Sequence, residues 1–325
     1  MGENIVKFAA FSDLHLDIMP DGARRIDAFL TAAQAENVDF IIHLGDFCYP
    51  KDTSCCMCAQ DKMPVNLQLA MECPPPNVPK IELLARFKTF PKPAYHMLGN
   101  HEMDFCTKAD AMELYGMSTS YYSFRCGGWH FIVLDGNHCR EENGDIVDYW
   151  YGKYFETKDL PYLGDAQLSW LEQELATGLE PTVLFCHQPM NISQRGLRDA
   201  ETLRSLIRRA RKQGKQVRLC MNGHLHEDRL SCEDGVVYYT LNSISNYWAG
   251  PDYETLRYPS SVDEAFPSLR FTLPYQKPIF AIITLDEMGM QVKGIQGRFV
   301  QPGPRHLGMY PMPTAGIRNR KLEWP

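Results

Sequence analysis

Apolar, β-rich runs at residues 5–11, 38–44, 94–98, 182–186 and 217–221 each pass directly into a short block that offers oxygen or imidazole donors. Those blocks are Asp13-Leu14-His15, Gly45-Asp46, Gly99-Asn100-His101, Cys186-His187 and Gly223-His224-Leu225-His226. Two further runs, 129–134 and 236–241, have the same strand character, and helical periodicity fills intervals at 23–36, 78–90, 166–176 and 200–213. Alternating strands and helices predict an α/β domain. Ligands of open α/β sheets gather beyond the carboxyl ends of strands, which is where all five blocks fall. Asp13 and His15, two residues apart, would project to one side of an extended segment and grip one ion, and His224 and His226 repeat that spacing. Glycines precede three of the blocks, where a bare backbone permits a sharp turn.

The chain of 325 residues is long enough to bury a sizeable core without staples. Acidic residues outnumber basic ones by 40 to 33, a formal charge of −7, so nothing global points to nucleic acid or an anionic membrane, and an anionic substrate must be drawn in locally. The first eight residues enter a strand at once and lack the regions of a secretion signal, no stretch reaches membrane-spanning length, and Val6 breaks the myristoylation pattern. A soluble, cytoplasmic protein is expected. Eleven cysteines, an odd number in a long chain, do not read as a disulfide framework. Cys48, Cys55, Cys56, Cys58 and Cys73 lack the paired spacing of a zinc knuckle and read as ordinary thiols.

Irregular stretches at 49–79, 136–164 and 243–277 read as loop or cap insertions of one domain over residues 1–298, closed by a hairpin from 280–285 and 290–295. The Pro-rich residues 299–325 read as an irregular strap.

Ser12-Asp-Leu-His15, Leu44-Gly-Asp46, Leu98-Gly-Asn-His-Glu102, Phe185-Cys-His187 and Asn222-Gly-His-Leu-His226 together resemble, in order, the signature of the calcineurin-like metallophosphoesterases, over residues 5 to 242. The resemblance implies an αββα sandwich of two mixed sheets flanked by helices. It implies that Asp13, His15 and His226 hold one ion, that Asn100, His187 and His224 hold the other, and that Asp46 bridges them. A hydroxide shared by the ions would attack phosphorus, while His101 protonates the leaving oxygen. Imidazole, carboxylate and amide donors suit two divalent or mixed-valence ions of manganese, iron or zinc.

The metal ligands treat all phosphates alike, so recognition is expected from the loops. Asn242, Tyr247 and Trp248 follow a strand ending beside the site, and the two aromatic rings could stack on a flat group; His138 and Tyr149 are further candidates. Ser-Asp-Leu-His-Leu resembles the cyclic-nucleotide phosphodiesterase branch, which favours a phosphodiester or nucleotide-like substrate over a monoester. A scaffold that kept the fold and lost catalysis, like the retromer component of this fold, would lack ligands, and none is missing here. His43, His96 and His130 read as structural, Cys186 as core, and the basic residues Arg204 to Lys215 as a solvated helix face. Gly45-Asp-Phe-Cys-Tyr49 also resembles a purple acid phosphatase block, but His15 stands where that branch carries glycine. Tyr49 is therefore expected to bind no iron, and the metal-loaded protein should be colourless; a tyrosinate-to-iron band in the visible spectrum would contradict this.

Overall fold

Strands buried on both faces are continuous apolar runs, and those runs build two six-stranded sheets. A computed structural model describes residues 4–47, 80–104, 106–150 and 159–325; Cys48, Tyr49 and the Cys-rich stretch lie outside the described residues. The first sheet contains β1 (Val6–Phe11), β2 (Phe40–His43), β3 (Ala94–Tyr95), β14 (Ala281–Leu285), β15 (Gly289–Gly294) and β16 (Arg320–Glu323), in the order β16-β15-β14-β1-β2-β3. The second contains β4 (Tyr122–Cys126), β5 (Trp129–Leu134), β8 (Thr182–Cys186), β9 (Val217–Asn222), β10 (Arg229–Glu233) and β11 (Val236–Thr240), in the order β10-β11-β9-β8-β5-β4. Two short hairpins lie outside them: β6 (His138–Arg140) with β7 (Ile146–Asp148), and β12 (Asn246–Trp248) with β13 (Thr272–Pro274). Parallel pairing of β1 with β2 and β2 with β3, and of β5 with β8, β8 with β9 and β9 with β11, sends the donor blocks to one edge of the sandwich.

Phe8 and Phe40 of the first sheet stack 4.9 Å apart, and Phe8 meets Phe131 and Phe185 of the second edge-on at 6.0 Å. This inter-sheet core is the largest apolar cluster, with Val133, Val183, Leu219 and Ile283 fully buried in it. On the outer face of the first sheet pack α1 (Gly22–Ala35), α2 (Lys80–Lys88) and α3 (Lys108–Tyr115), through Phe29, Phe87 and Ala111. On the outer face of the second pack α4 (Asp165–Leu175) and α5 (Ala200–Lys212), through Leu171, Leu203 and Ile207; a short α6 (Ser260–Ala265) lies in the loop before β13. The result is the expected αββα sandwich.

Some expectations change. Helix α3 was not foreseen, although Thr107 caps it in a full capping box with Asp110 and Gly116 ends it in the left-handed conformation, both readable signals. The strap from residue 299 is not wholly irregular: β16 pairs antiparallel with β15 and gives the first sheet an edge strand. Its half-exposed pattern, Arg-Lys-Leu-Glu, carries no apolar run to betray it. Arg320 then forms a two-pronged pair with buried Asp228, at 2.8 and 2.7 Å, which ties the tail to the loop after His226.

The basic face of α5 is solvated and paired, Arg204 and Arg208 with Asp234, and Arg209 with Glu172. Replacing Phe8 by alanine should remove about 3–5 kcal/mol of stability, because the rings around it cannot all collapse into the space. Urea unfolding of the variant is the check; a loss under about 1 kcal/mol would show that the two sheets do not share one rigid core.

Candidate metal centre

The backbone brings the donor blocks together before any side chain does. Beyond the ends of β1 and β2 the two chains continue to pair: Asp13 N–H donates to Gly45 O (3.0 Å), His15 N–H to Asp46 O (3.1 Å) and Leu16 N–H to Phe47 O (3.2 Å). In the second sheet Gly223 N–H donates to His187 O at 3.1 Å. Between the sheets, His224 N–H donates to the Asp13 carboxylate at 3.1 Å, and Ile244 N–H to Ser12 O at 2.9 Å.

Asp13, His15, Asp46, His224 and His226 all take positive φ, between 49° and 67°. Spacing predicts convergence of Asp13 with His15, and of His224 with His226, through extended backbone; the structure instead converges them through left-handed turns. Such conformations cost non-glycine residues of order 1 kcal/mol or more each, and persist where surrounding contacts over-determine them. Gly99 is required for a different reason: a Cβ there would lie 2.1 Å from Asp46 Oδ1 and 2.4 Å from Asp46 N.

Two clusters of ligand atoms result, Asp13 with His15 and His226, and Asp46 with His187 and His224, each within 4.8 Å. His15 Nε2 and His226 Nε2 face each other at 3.2 Å, and His226 Nε2 lies 3.3 Å from Asp13 Oδ1. Asp46 Oδ2 sits between the clusters, 3.0 Å from His187 Nε2 and 3.8 Å from His15 Nε2. His187 and His226 donate from Nδ1 to Leu44 O (2.6 Å) and Asn246 O (2.8 Å), which turns both Nε2 atoms inward. Asn100, next to His101, has a buried Oδ1 that accepts no hydrogen bond among the described residues.

Electrostatics prepares the same donors. Burial holds His15 and His224 down at about 3, so both imidazoles are neutral. Burial works against the charge on Asp46 and Asp13, yet the surrounding imidazoles together outweigh it, His187 foremost for the first and His226 for the second, and both carboxyls fall below their usual range. His187 goes the other way, up to about 9, because Asp46 and Asp13 outweigh its burial. Ionised carboxylates and neutral imidazoles are the metal-binding forms, which His15 and His224 already have, whereas His187 must give up its Nε2 proton to a cation.

His101 stands at the rim, its ring 5.3 Å from that of His15. Its Nδ1 is 2.9 Å from Asp104 Oδ2, and Asp104 with Asp46 overcomes the opposing effect of burial to raise its pKa to about 10. Asp104 escaped the sequence reading, and so did the role of Glu102. Buried Glu102 accepts from Asp46 N–H (3.0 Å), Phe47 N–H (2.7 Å), Gly99 N–H (2.5 Å) and the Tyr115 hydroxyl (3.1 Å), fastening two ligand loops to each other. An acidic residue next to His101 was the available signal.

The residues expected to meet substrate separate into two groups. Asn242 is buried and bonded to Thr314 O, Gly316 O and the Tyr275 hydroxyl, so it anchors the tail and does not face a substrate. Tyr149 is likewise buried, packed beneath β6 and β7. His138 is engaged by Tyr162 O (3.0 Å), Lys108 Nζ (3.1 Å) and Asp148 (3.2 Å). Tyr247 and Trp248 remain accessible, Trp248 being 46% exposed, and they follow Asn246, whose carbonyl holds His226. Ser243 and Ser245 in the same loop donate to Asp13 O at 2.8 and 2.9 Å, so its first half holds the backbone at Asp13.

His43, His96 and His130 hydrogen-bond within the protein, His43 to His96 at 2.8 Å and His130 to Glu174 at 3.0 Å, and Cys186 packs in the core under α4 and α5. No helix among the described residues is long and apolar enough to cross a membrane.

The model of the calcineurin-like phosphoesterases matches residues 6–228. Among solved structures, a dimetal phosphatase from Danio rerio superposes with a TM-score of 0.60 at 16% identity, over 91% of this chain and 98% of that one. GAP50, the anchor in the inner membrane complex of Plasmodium, gives 0.51 at 14% identity, over 99% and 89%. At such identities these likenesses show the fold. No curated protein matches the sequence. Replacing Glu102 by alanine should orphan three backbone donors and weaken metal binding about 10–100-fold, as loss of outer-shell partners does. Equilibrium dialysis with manganese or zinc measures it; unchanged affinity would remove the positioning role of Glu102.

Proposed function

This chain belongs to the calcineurin-like phosphoesterase family and is a metal-dependent phosphoester hydrolase; on that premise we propose a dinuclear enzyme that cleaves a small phosphodiester or nucleotide-like substrate. The observation that carries the dinuclear reading is the Asp46 carboxylate, 3.0 Å from His187 in one ligand cluster and 3.8 Å from His15 in the other. The family implies two divalent ions, and the residues fit them: Asp13, His15 and His226 would hold one, Asn100, His187 and His224 the other, with Asp46 common to both. The buried Asn100 Oδ1 accepts no hydrogen bond among the described residues, which fits an oxygen donor to a cation. Borderline ions such as manganese, iron or zinc suit this donor set. When bound, they supply Lewis acidity that polarises the phosphoryl group and activates water.

The chain's own groups do the rest. Asp104 orients His101 through Nδ1 and keeps it protonated at neutral pH, so Nε2 is the nitrogen from which a proton reaches the leaving oxygen. Buried His226 and His187 are held in one tautomer by Asn246 O and Leu44 O. Tyr247 and Trp248 follow Asn246, whose carbonyl holds His226, and remain accessible, which supports a flat leaving group such as a base, stacking being worth about 1–3 kcal/mol per base.

Asp46→Asn and His187→Ala should lose both bound metal and turnover. His101→Ala should retain the metal and slow the chemical step by about 10²–10⁴. Metal content together with hydrolysis of bis-para-nitrophenyl phosphate and para-nitrophenyl phosphate reads all three. Near-normal turnover in the His101 variant removes its assigned role, preference for the monoester overturns the diester reading, and neither metal nor turnover with manganese, iron or zinc ends the enzyme reading.

A further inference from the structure

Just past the end of β5, outside every donor block, Asn137 is fully buried with all of its polar groups engaged. Its side-chain nitrogen donates to Leu98 O at 3.0 Å and to Asp135 Oδ1 at 2.8 Å, and its side-chain oxygen accepts from Gln188 Nε2 at 2.8 Å. A carbonyl and a carboxylate oxygen can only accept, so the amide has one admissible orientation. Its backbone N–H donates to Asp135 Oδ1 at 2.9 Å, and its carbonyl accepts from Tyr149 N–H at 3.0 Å. Between Asp135 and Asn137, a Cβ on Gly136 would lie 2.2 Å from Gln188 Oε1, so a side chain there would push the two segments apart.

The partners of this amide belong to two donor blocks. Leu98 opens the block Leu98-Gly99-Asn100, which follows β3 of the first sheet, and Gln188 comes directly after His187 at the end of β8 in the second. Leu134 of β5 is in register with Cys186 of β8, so the bond from Asn137 to Gln188 continues that pairing past the strand ends, while the bond to Leu98 O crosses to the other sheet. Behind the bridge, Lys108 Nζ of α3 lies 2.7 Å from Asp135 Oδ2, and Gln167 of α4 brackets the Asp135 backbone with bonds of 2.8 and 2.7 Å. Every member of the network is buried, and a fully satisfied buried network specifies one geometry. Asp13 and His226 are held separately, by Ser243, Ser245 and the Asn246 carbonyl.

We propose that Asn137 is a positioning residue for one ion of the pair: acting through Leu98 O and Gln188, it sets the separation of the Asn100 and His187 arms and leaves the arms of Asp13, His15 and His226 to their own supports. This rests on the dinuclear reading, in which Asn100, His187 and His224 share one ion.

Zinc is the probe, titrated from a chelator buffer into the full chain labelled with ¹⁵N-histidine. The ring nitrogens of His187 and His224 then report one ion, and those of His15 and His226 the other. In the unsubstituted protein both pairs should shift. Asn137→Leu should raise the free zinc needed at His187 and His224 by about 10–100-fold, as loss of an outer-shell partner does, and leave His15 and His226 unchanged. Gln188→Met keeps the length of the side chain and the contact to Leu98 O, so it tests the bridge even if Asn137→Leu does not fold; it should weaken the same pair alone. The double variant should bind no more weakly than Asn137→Leu, because the bond lost with Gln188 is already gone. Equal weakening at all four histidines, unchanged zinc binding at His187 and His224, or additive effects in the double variant would each overturn the proposal. A shift at only one histidine pair of the unsubstituted protein, or at neither, would overturn the dinuclear reading and the proposal with it.

Discussion

The Asp46 carboxylate is the interaction on which the rest of the site depends. It is almost wholly buried, and a buried carboxylate without compensation is too costly to keep, so the surrounding chain is arranged to supply partners. His101 N–H reaches Oδ1 at 3.0 Å, His187 Nε2 lies 3.0 Å from Oδ2, and Asp46 N–H rests on Glu102. Both sheets contribute, since Asp46 follows β2 of the first and His187 follows β8 of the second. The negative charge thus fixes the spacing between the sheets at one edge, as the phenylalanine cluster around Phe8 fixes it through the middle.

Holding such groups together requires strain, and its distribution is informative. The left-handed residues at 13, 15, 46, 224 and 226 are all proposed ligands. Each lies just past a strand whose hydrogen bonds pin one end of the turn, so the stable ladder carries the cost of the strained loop. Glu102, Ser243 and Ser245 supply the remaining support by gripping the backbone at Asp46 and Asp13. The C-terminal tail, outside residues 6–228 that match the family model, adds a further restraint through the pairing of Arg320 with Asp228.

Much of this was legible in the sequence. Continuous apolar runs at 129–134 and 182–186 announce strands covered on both faces, and the helices at 22–35 and 200–212 show their buried stripes at helical spacing. The donor blocks that the structure gathers at one edge were legible because each stands immediately after a buried strand. Edge elements were harder: β16 and the β6–β7 hairpin are short, half-exposed and polar, so burial leaves no periodic imprint on them. Asn242 and Tyr149 misled for the complementary reason, because a polar or aromatic residue in a loop looks the same whether it faces solvent or is bonded beneath the tail.

By itself, the sequence determined the layered α/β architecture, the five donor blocks and the class of chemistry they resemble, since strand burial and residue type are local properties of the chain. Only the tertiary structure decided that the ligands converge through left-handed turns, that Glu102 clamps two loops, that Asn242 serves the tail, and that Asn137 spans two donor blocks. Those outcomes depend on which segments are neighbours across the sandwich. Hydrogen-bond partners hundreds of residues apart are set by sheet order and register, which no local pattern records.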